Sequence, residues 1–365
     1  MKPPTPVLDP TGDLLTLTRA LCDIPSVSGD ETAIADAVAT ALRPYAHLEI
    51  LRDGDCVVAR TQLGRPERVV VAGHLDTVPI ADSLPTTVVG SGSDAAVWGR
   101  GTVDMKGGVA IQVALAASLS APTRDVTWVF YDHEEVEASL SGLGRIARNH
   151  PDWLAADFAV LGEPSNAGIE GGCNGTLRVE VRVPGVTAHS ARSWMGVNAI
   201  HGAAEVLRRL AGYQPLDVAV DGLVYREGMN AVAIRGGVAG NVIPDECVVT
   251  VNYRFAPSTS VARAQEHVRD LFAGFDVTVT DASAGARPGL DDPAAADFAA
   301  AALAFTGGVP APKFGWTDVA RFAELGIPAV NFGPGDPLLA HKDDEHCAVA
   351  QIQLCHDALQ SWLTS

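Results

Sequence analysis

Five fragments of this chain carry histidines and carboxylates, and each sits where a strand should end. They are Gly73-His74-Leu75-Asp76-Thr77-Val78-Pro79, Arg100-Gly101-Thr102-Val103-Asp104-Met105-Lys106-Gly107-Gly108, Asp132-His133-Glu134-Glu135, Leu161-Gly162-Glu163-Pro164-Ser165 and Ala340-His341-Lys342-Asp343-Asp344-Glu345-His346. Together they offer two histidines and three carboxylates to bind metal, donors that suit borderline divalent metals. Glu134 is left over to handle protons. Two zinc ions and one activated water need such a set, and the chemistry it points to is metal-assisted hydrolysis.

Each fragment has its own logic. His74 and Asp76 are two apart at a strand end, where positions i and i+2 face the same way, so Asp76 can orient the imidazole through its second nitrogen. Taken alone, the pair could equally be a turn with a capping Asp. Asp104 lies among glycines just before a helix, and a carboxylate there can bridge two metals about 3.5–4 Å apart or act as a plain N-cap. Glu134 and Glu135 are adjacent, so at a strand end they should point to different places, one ligating and the other free as a base. His133 to Glu137 imitates the start of a zincin helix but lacks a second His at the required spacing, and His341 to His346 misses the inverted zincin spacing. No nucleophile elbow or P-loop occurs.

The elements that must position these residues read as two textures. Up to about Gly175, short apolar strands (Arg68–Ala72, Val126–Tyr131, Phe158–Leu161) alternate with helices (Asp30–Tyr45, Gly107–Leu119). That pattern predicts a mostly parallel sheet covered on both faces, with functional residues beyond the carboxyl ends of its strands. From Thr176 the strands alternate: Thr176–Val183, Ala231–Gly237, Cys247–Phe255 and Phe275–Thr280, with helices over Asn198–Leu210 and Val261–Phe272. This is a β-α-β-β-α-β order of ferredoxin-like type. After Pro288, helices return over Pro293–Phe305, Asp318–Leu325 and Ala350–Trp362, with a strand at Ala329–Phe332. For His341 to join His74, the small domain must be an insertion. The expectation is a doubly wound α/β domain over 1–176 and 289–365, split by an α+β domain over 177–288.

Composition bounds the partners. The 365 residues are 47% hydrophobic, enough for a large core, and carry a net charge of −18 with a pI near 4.8. Such acidity argues against nucleic acid and anionic membranes. The N-terminus lacks the apolar region of a secretory signal, and no run of about 18 apolar residues exists to span a membrane. Six scattered cysteines without C-x-x-C spacing read as reduced, mostly buried thiols of a cytoplasmic protein.

Together, Gly73 to Pro79, Gly99 to Gly108, Glu134-Glu135, Gly162 to Ser165, Thr187 to Ser190, Gly240 to Pro244 and His341 resemble the M20 family of dinuclear zinc amidohydrolases and peptidases, over essentially the whole chain. The resemblance implies that His74 and Glu163 hold one zinc, Glu135 and His341 the other, and Asp104 bridges, with cobalt able to substitute. It implies Glu134 as general base, Asp76 as its support, a cis peptide between Asp104 and Met105, and a homodimer in which His189 reaches the other subunit's site. The substrate class it implies is an N-acyl amino acid. The nearer likeness, to the desuccinylase branch, favours N-succinyl-L,L-diaminopimelate. Acetylornithine deacetylation, aminoacylase or carboxypeptidase activity are alternatives, as is an inactive metal- or amino-acid-binding homologue. Arg254, an Arg amid apolar strand residues, should find an anion, either internal or a substrate carboxylate. Asn241 and Thr317 are further candidates to grip carboxylates. The chain departs from the family pattern at Val136, where a Gly often follows the paired glutamates, at Asn174-Gly175, where some desuccinylases carry an Arg, and at Trp316-Thr317-Asp318, which replaces a serine/threonine-rich turn.

Overall fold

The computed structural model describes residues 7–365 and divides into two compact units. The first comprises the chain up to Gly172, Pro288–Ala311 and Thr317–Ser365; the second comprises Cys173–Arg287 and Pro312–Trp316. The second unit therefore begins just before the expected insertion. It also takes in a short later segment, in which Trp316 Nε1 donates to Ala284 O at 3.0 Å and Lys313 O accepts from Asn174 N at 3.2 Å.

The first unit is built on an eight-stranded sheet. Its centre is parallel: Asp125–Tyr131 pairs with Arg68–His74, which pairs with Phe158–Leu161, which pairs with Ala329–Asn331. All seven residues of Asp125–Tyr131 and all four of Phe158–Leu161 are buried, as apolar runs covered on both faces must be. The flanks are antiparallel: Cys56–Arg60 runs against Asp125–Tyr131 and against Glu49–Asp53, and Glu170–Gly171 runs against Ala329–Asn331. The sheet is thus mixed, where the sequence reading had it mostly parallel. The edge strands are short or partly polar and carry too little periodicity to be read.

Five helices pack into this core: Leu14–Cys22, Thr32–Leu42, Lys106–Ser118, Pro293–Thr306 and Val349–Thr364. Lys106–Ser118 is buried from Lys106 through Ala117, which explains its small and apolar composition. It passes so close to the end of the Phe158–Leu161 strand that a Cβ on Gly108 would collide with Gly162 O. Only glycine there lets the helix and the Glu163 loop approach. No helix of the described residues is long and apolar enough to cross a membrane, and all six cysteines are buried and form no disulfide.

The second unit is a four-stranded antiparallel sheet in the order Gly228–Gly236, Glu246–Phe255, Gly175–Pro184, Asp276–Ser283. Numbering these strands along the chain gives 2-3-1-4, the ferredoxin-like arrangement. Leu177, Val179, Val181 and Val183 point to one face and pack with Val206, Ala264 and Val268 of the two helices, Ala199–Ala211 and Val261–Leu271, and with Phe272 just after the second. A hairpin of Asp217–Val220 and Leu223–Arg226, unread in the sequence, precedes the edge strand. Gly228–Gly236 leaves its last seven residues exposed, Val232 and Ile234 among them.

Candidate metal centre

Three strand ends of the central sheet deliver ligands to one place. The Arg68–His74 strand ends on His74, Asp125–Tyr131 leads to Glu134 and Glu135, and Phe158–Leu161 leads to Glu163. Asp104 arrives differently from the expectation. It follows Ala96–Trp98, a strand of a separate small antiparallel sheet, and stands just before the buried Lys106–Ser118 helix. The peptide between Asp104 and Met105 is cis, as the resemblance implies. His341 comes from the loop after Pro337–Leu339 with a φ of 66°.

Ligand atoms converge in three sets, each within 4.8 Å: His74 with Asp104 and Glu163; Asp104 with Glu135 and His341; His74 with Glu134 and Glu135. Asp104 belongs to the first two. His74 Nε2 is 3.1 Å from Asp104 Oδ1, and His341 Nε2 lies 3.3 Å from Asp104 Oδ2 and 2.9 Å from Glu135 Oε1. Both oxygens of one carboxylate therefore face an imidazole nitrogen. Glu134 and Glu135 do not diverge as adjacent strand residues would, since both reach this cluster. The strand stops at Tyr131 and His133 has a φ of 58°, so period-two alternation no longer applies.

Asp76 is what holds those two glutamates. Its Oδ1 accepts from Glu134 N at 3.0 Å, and its Oδ2 accepts from Glu135 N at 3.0 Å and from Ser28 Oγ at 2.6 Å. Towards His74, the nearer atom is the backbone carbonyl of Asp76, 3.0 Å from Nδ1; its carboxylate Oδ1 is 3.4 Å away. The expected orientation of the ring is present, carried more by the carbonyl than by the carboxylate.

The protonation pattern follows from this crowding. Burial disfavours a charged His74, but the bonds to Asp104 and Asp76 outweigh it and hold its pKa well above 6.5. Bonds to Asp104 and Glu135 raise His341 to about 10. Burial works against ionised Asp104 and Asp76, yet the imidazoles and the donors on Asp76 hold both low, Asp76 at about 2. Glu134 moves the other way: desolvation, then the nearby Glu163, Glu135 and Asp318 charges, lift it well above 4.5 despite His74. Glu135 is also raised, by desolvation and Asp104.

These residues fit a pair of divalent cations. A carbonyl can only accept, so Asp76 O fixes the proton of a neutral His74 on Nδ1. The Nε2 lone pair then faces the Asp104 carboxylate, and two electron-rich groups at 3.1 Å need a proton or a cation between them. The same holds at His341. Two donor sets sharing one carboxylate match a dinuclear centre.

Of the remaining sequence candidates, Thr317 is buried and its hydroxyl donates to Asn331 Oδ1 at 2.9 Å. His189, Asn241 and Arg254 belong to the second unit. His189 is exposed and pairs with Val242 in a short ladder, while Asn241 O accepts from Ser190 N at 2.9 Å. Arg254 is half-buried, in register with Gly228 and Thr176. Sequence reasoning passed over Asp318, buried and with its pKa raised by desolvation, and the buried pair Arg100–Glu345. Arg100 and Glu345 both lie inside the quoted fragments, but nothing in their spacing marks them as partners.

Comparison with known proteins adds the following. The profile of Peptidase family M20/M25/M40 matches residues 70–365. A Corynebacterium glutamicum succinyl-diaminopimelate desuccinylase is 46% identical over 369 residues, covering 98% of both chains. A Mycobacterium tuberculosis protein named "Putative succinyl-diaminopimelate desuccinylase DapE" is 55% identical over 360 residues, 98% of this chain and 99% of its own. Among solved structures, a Staphylococcus aureus tripeptidase shares the fold with a TM-score of 0.77 at 19% identity, covering 96% of each chain.

Proposed function

This chain belongs to peptidase family M20/M25/M40, and on that premise we propose that it hydrolyses the amide of N-succinyl-L,L-diaminopimelate to succinate and L,L-diaminopimelate. The observation that carries this reading is the 46% identity to the Corynebacterium desuccinylase over nearly the full length of both chains. The ligand cluster is consistent with it. His74 and Glu163 would hold one zinc ion, Glu135 and His341 the other, with Asp104 between them. Zinc bound there would polarise the amide carbonyl and acidify water.

The protein's own groups divide the remaining work. Glu134 takes a proton from the attacking water as its oxygen bonds to the succinyl carbonyl carbon. The C–N bond then breaks, and the Glu134 carboxyl returns the proton to the leaving amine. Asp76 fixes the backbone of Glu134 and Glu135, so base and ligand keep their spacing.

His189 would donate to the developing oxyanion in the site of a second copy. Its Nδ1 accepts from Ala191 N at 3.1 Å, which leaves the proton of a neutral ring on Nε2, the outward donor such a role needs. The exposed edge strand Gly228–Gly236, with apolar Val232 and Ile234, would pair with its counterpart in a homodimer. Arg254 and Asn241 would bind the substrate's carboxylates, and the place of work would be the cytoplasm.

The test is a comparison of kcat/KM for N-succinyl-L,L-diaminopimelate and N-acetylornithine with zinc-loaded enzyme. The succinyl substrate should win. A win for the acetyl substrate would remove the desuccinylase reading and leave the metal-dependent hydrolase.

A further inference from the structure

The buried ion pair Arg100–Glu345 touches none of the proposed ligands' donor atoms, yet it meets three of the segments that carry them. Glu345 Oε1 accepts from Val103 N at 2.9 Å and from Asp104 N at 3.2 Å. Its Oε2 accepts from Arg100 Nη1 at 2.7 Å. Arg100 also donates from Nε to Pro79 O at 3.0 Å and from Nη1 to Lys342 O at 3.2 Å. Pro79 closes the His74–Asp76 fragment, Asp104 is the shared carboxylate, and Lys342 follows His341. Gly99 N donates to Glu345 O at 3.0 Å, which ties the same two segments again through the backbone. Both side chains are nearly inaccessible, Arg100 at 4% and Glu345 at 1%.

We propose that Arg100 and Glu345 are positioning residues that set the spacing of Asp104 relative to His74 and His341, and thereby the site's affinity for its second cation. The physical reason lies in the number of backbone groups engaged. Glu345 binds two successive amides, one of them Asp104's own, which fixes where that carboxylate starts from the main chain. Arg100, with a planar fork of donors, spans two carbonyls that a lysine ammonium on a single flexible stem could not reach together. A buried ion pair is weak evidence for stability, because desolvation offsets much of its attraction. What this pair supplies instead is geometry. Loss of such a support typically weakens metal binding 10–100-fold.

The inference rests on the reading that His74, Asp104, Glu135, Glu163 and His341 hold two cations. Calorimetric titration of the metal-free wild-type protein with Zn2+ tests that reading by itself: fewer than two sites would remove it, whatever the variants do. Given two sites in the wild type, Arg100→Lys should keep the fold and the buried charge balance. It should weaken the second Zn2+ at least tenfold and shift the visible bands of the Co2+-loaded protein. The double variant Arg100→Met with Glu345→Leu leaves no unpaired buried charge; it gives up the bonds to Val103 N, Asp104 N, Pro79 O and Lys342 O, so it should stay folded but melt below the wild type, and it too should lose the second site. Asp125→Asn, at the opposite end of the neighbouring strand, is the control for mere loss of stability and should bind both cations normally. Should either folded variant bind two Zn2+ with wild-type affinity and unchanged Co2+ bands, the positioning role is wrong. If both variants prove unfolded without metal while Asp125→Asn is folded, the pair is a stability element and the proposal is likewise overturned.

Discussion

The two sheets of this protein use their strands in opposite ways. In the first unit, Asp125–Tyr131 is buried at every position and presents its chemistry only after it ends, at Glu134 and Glu135. In the second unit, Gly228–Gly236 is exposed over its last seven residues and presents its side chains along its length. The difference comes from what covers each face. A parallel strand between helix layers has no free side, so charged groups must wait for the loop, where several loops converge and desolvate one another. An antiparallel strand at a sheet edge keeps one side and an unpaired backbone open for another chain.

This contrast can be broken or sharpened by experiment. The largest effect should come from the converging loops: Glu134→Gln should keep two zinc ions by calorimetry while kcat falls about 10²–10⁴-fold, the usual worth of a general base. A variant retaining more than about a tenth of the wild-type rate would show that Glu134 is not the base.

Next comes the open edge. If this edge joins two copies, as proposed, Val232→Lys with Ile234→Lys should give a monomer in analytical ultracentrifugation without loss of fold. If His189 acts across the interface, kcat should drop about 10²–10³-fold, the cost of one oxyanion donor. A fully active monomer would confine the second unit's edge to a surface role.

A smaller effect is expected at Asp76, which holds both glutamate amides. Asp76→Asn loses one acceptor and should weaken zinc binding about 10–100-fold, measured by competition with a chelator. Unchanged affinity would mean that the ligands position themselves.

The smallest effect tests the far end of the same strand. Asp125 accepts from Leu63 N, Arg65 N and the Thr61 hydroxyl at 2.8–2.9 Å, and these donors outweigh burial to lower its pKa below 3.8. A carboxylate with a depressed folded pKa stabilises fully above its unfolded pKa. That contribution fades as pH falls from about 3.8 through the lower folded value. Asp125→Asn should cost about 1–3 kcal/mol near neutral pH and flatten this part of the acid-unfolding curve. A steep curve in the variant would place the acid sensitivity elsewhere.

Much of the first unit was legible because its strands are short apolar runs and its helices keep their period. Phe158–Leu161 matches to the residue, and Asp125–Tyr131 differs from its reading by one. The Asp217–Arg226 hairpin and the Glu49–Asp53 edge escaped because they mix exposed and polar residues without a period. The hydroxyl of Thr317 donates to Asn331, fourteen residues away in sequence, a partner that no local pattern marks.

What the sequence determined by itself was the identity of the chemistry-bearing groups and the kind of elements that carry them, because residue type and local periodicity are short-range properties. Two histidines, the acidic fragments and the alternation of apolar strand with helix were enough for that. Only the tertiary structure decided that Asp104 comes from outside the central sheet, that Asp76 grips two amides 58 and 59 residues away, and that Arg100 meets Glu345 across 245 residues. Buried polar groups must find partners, but which partner each finds depends on where the chain returns, and no local pattern records that.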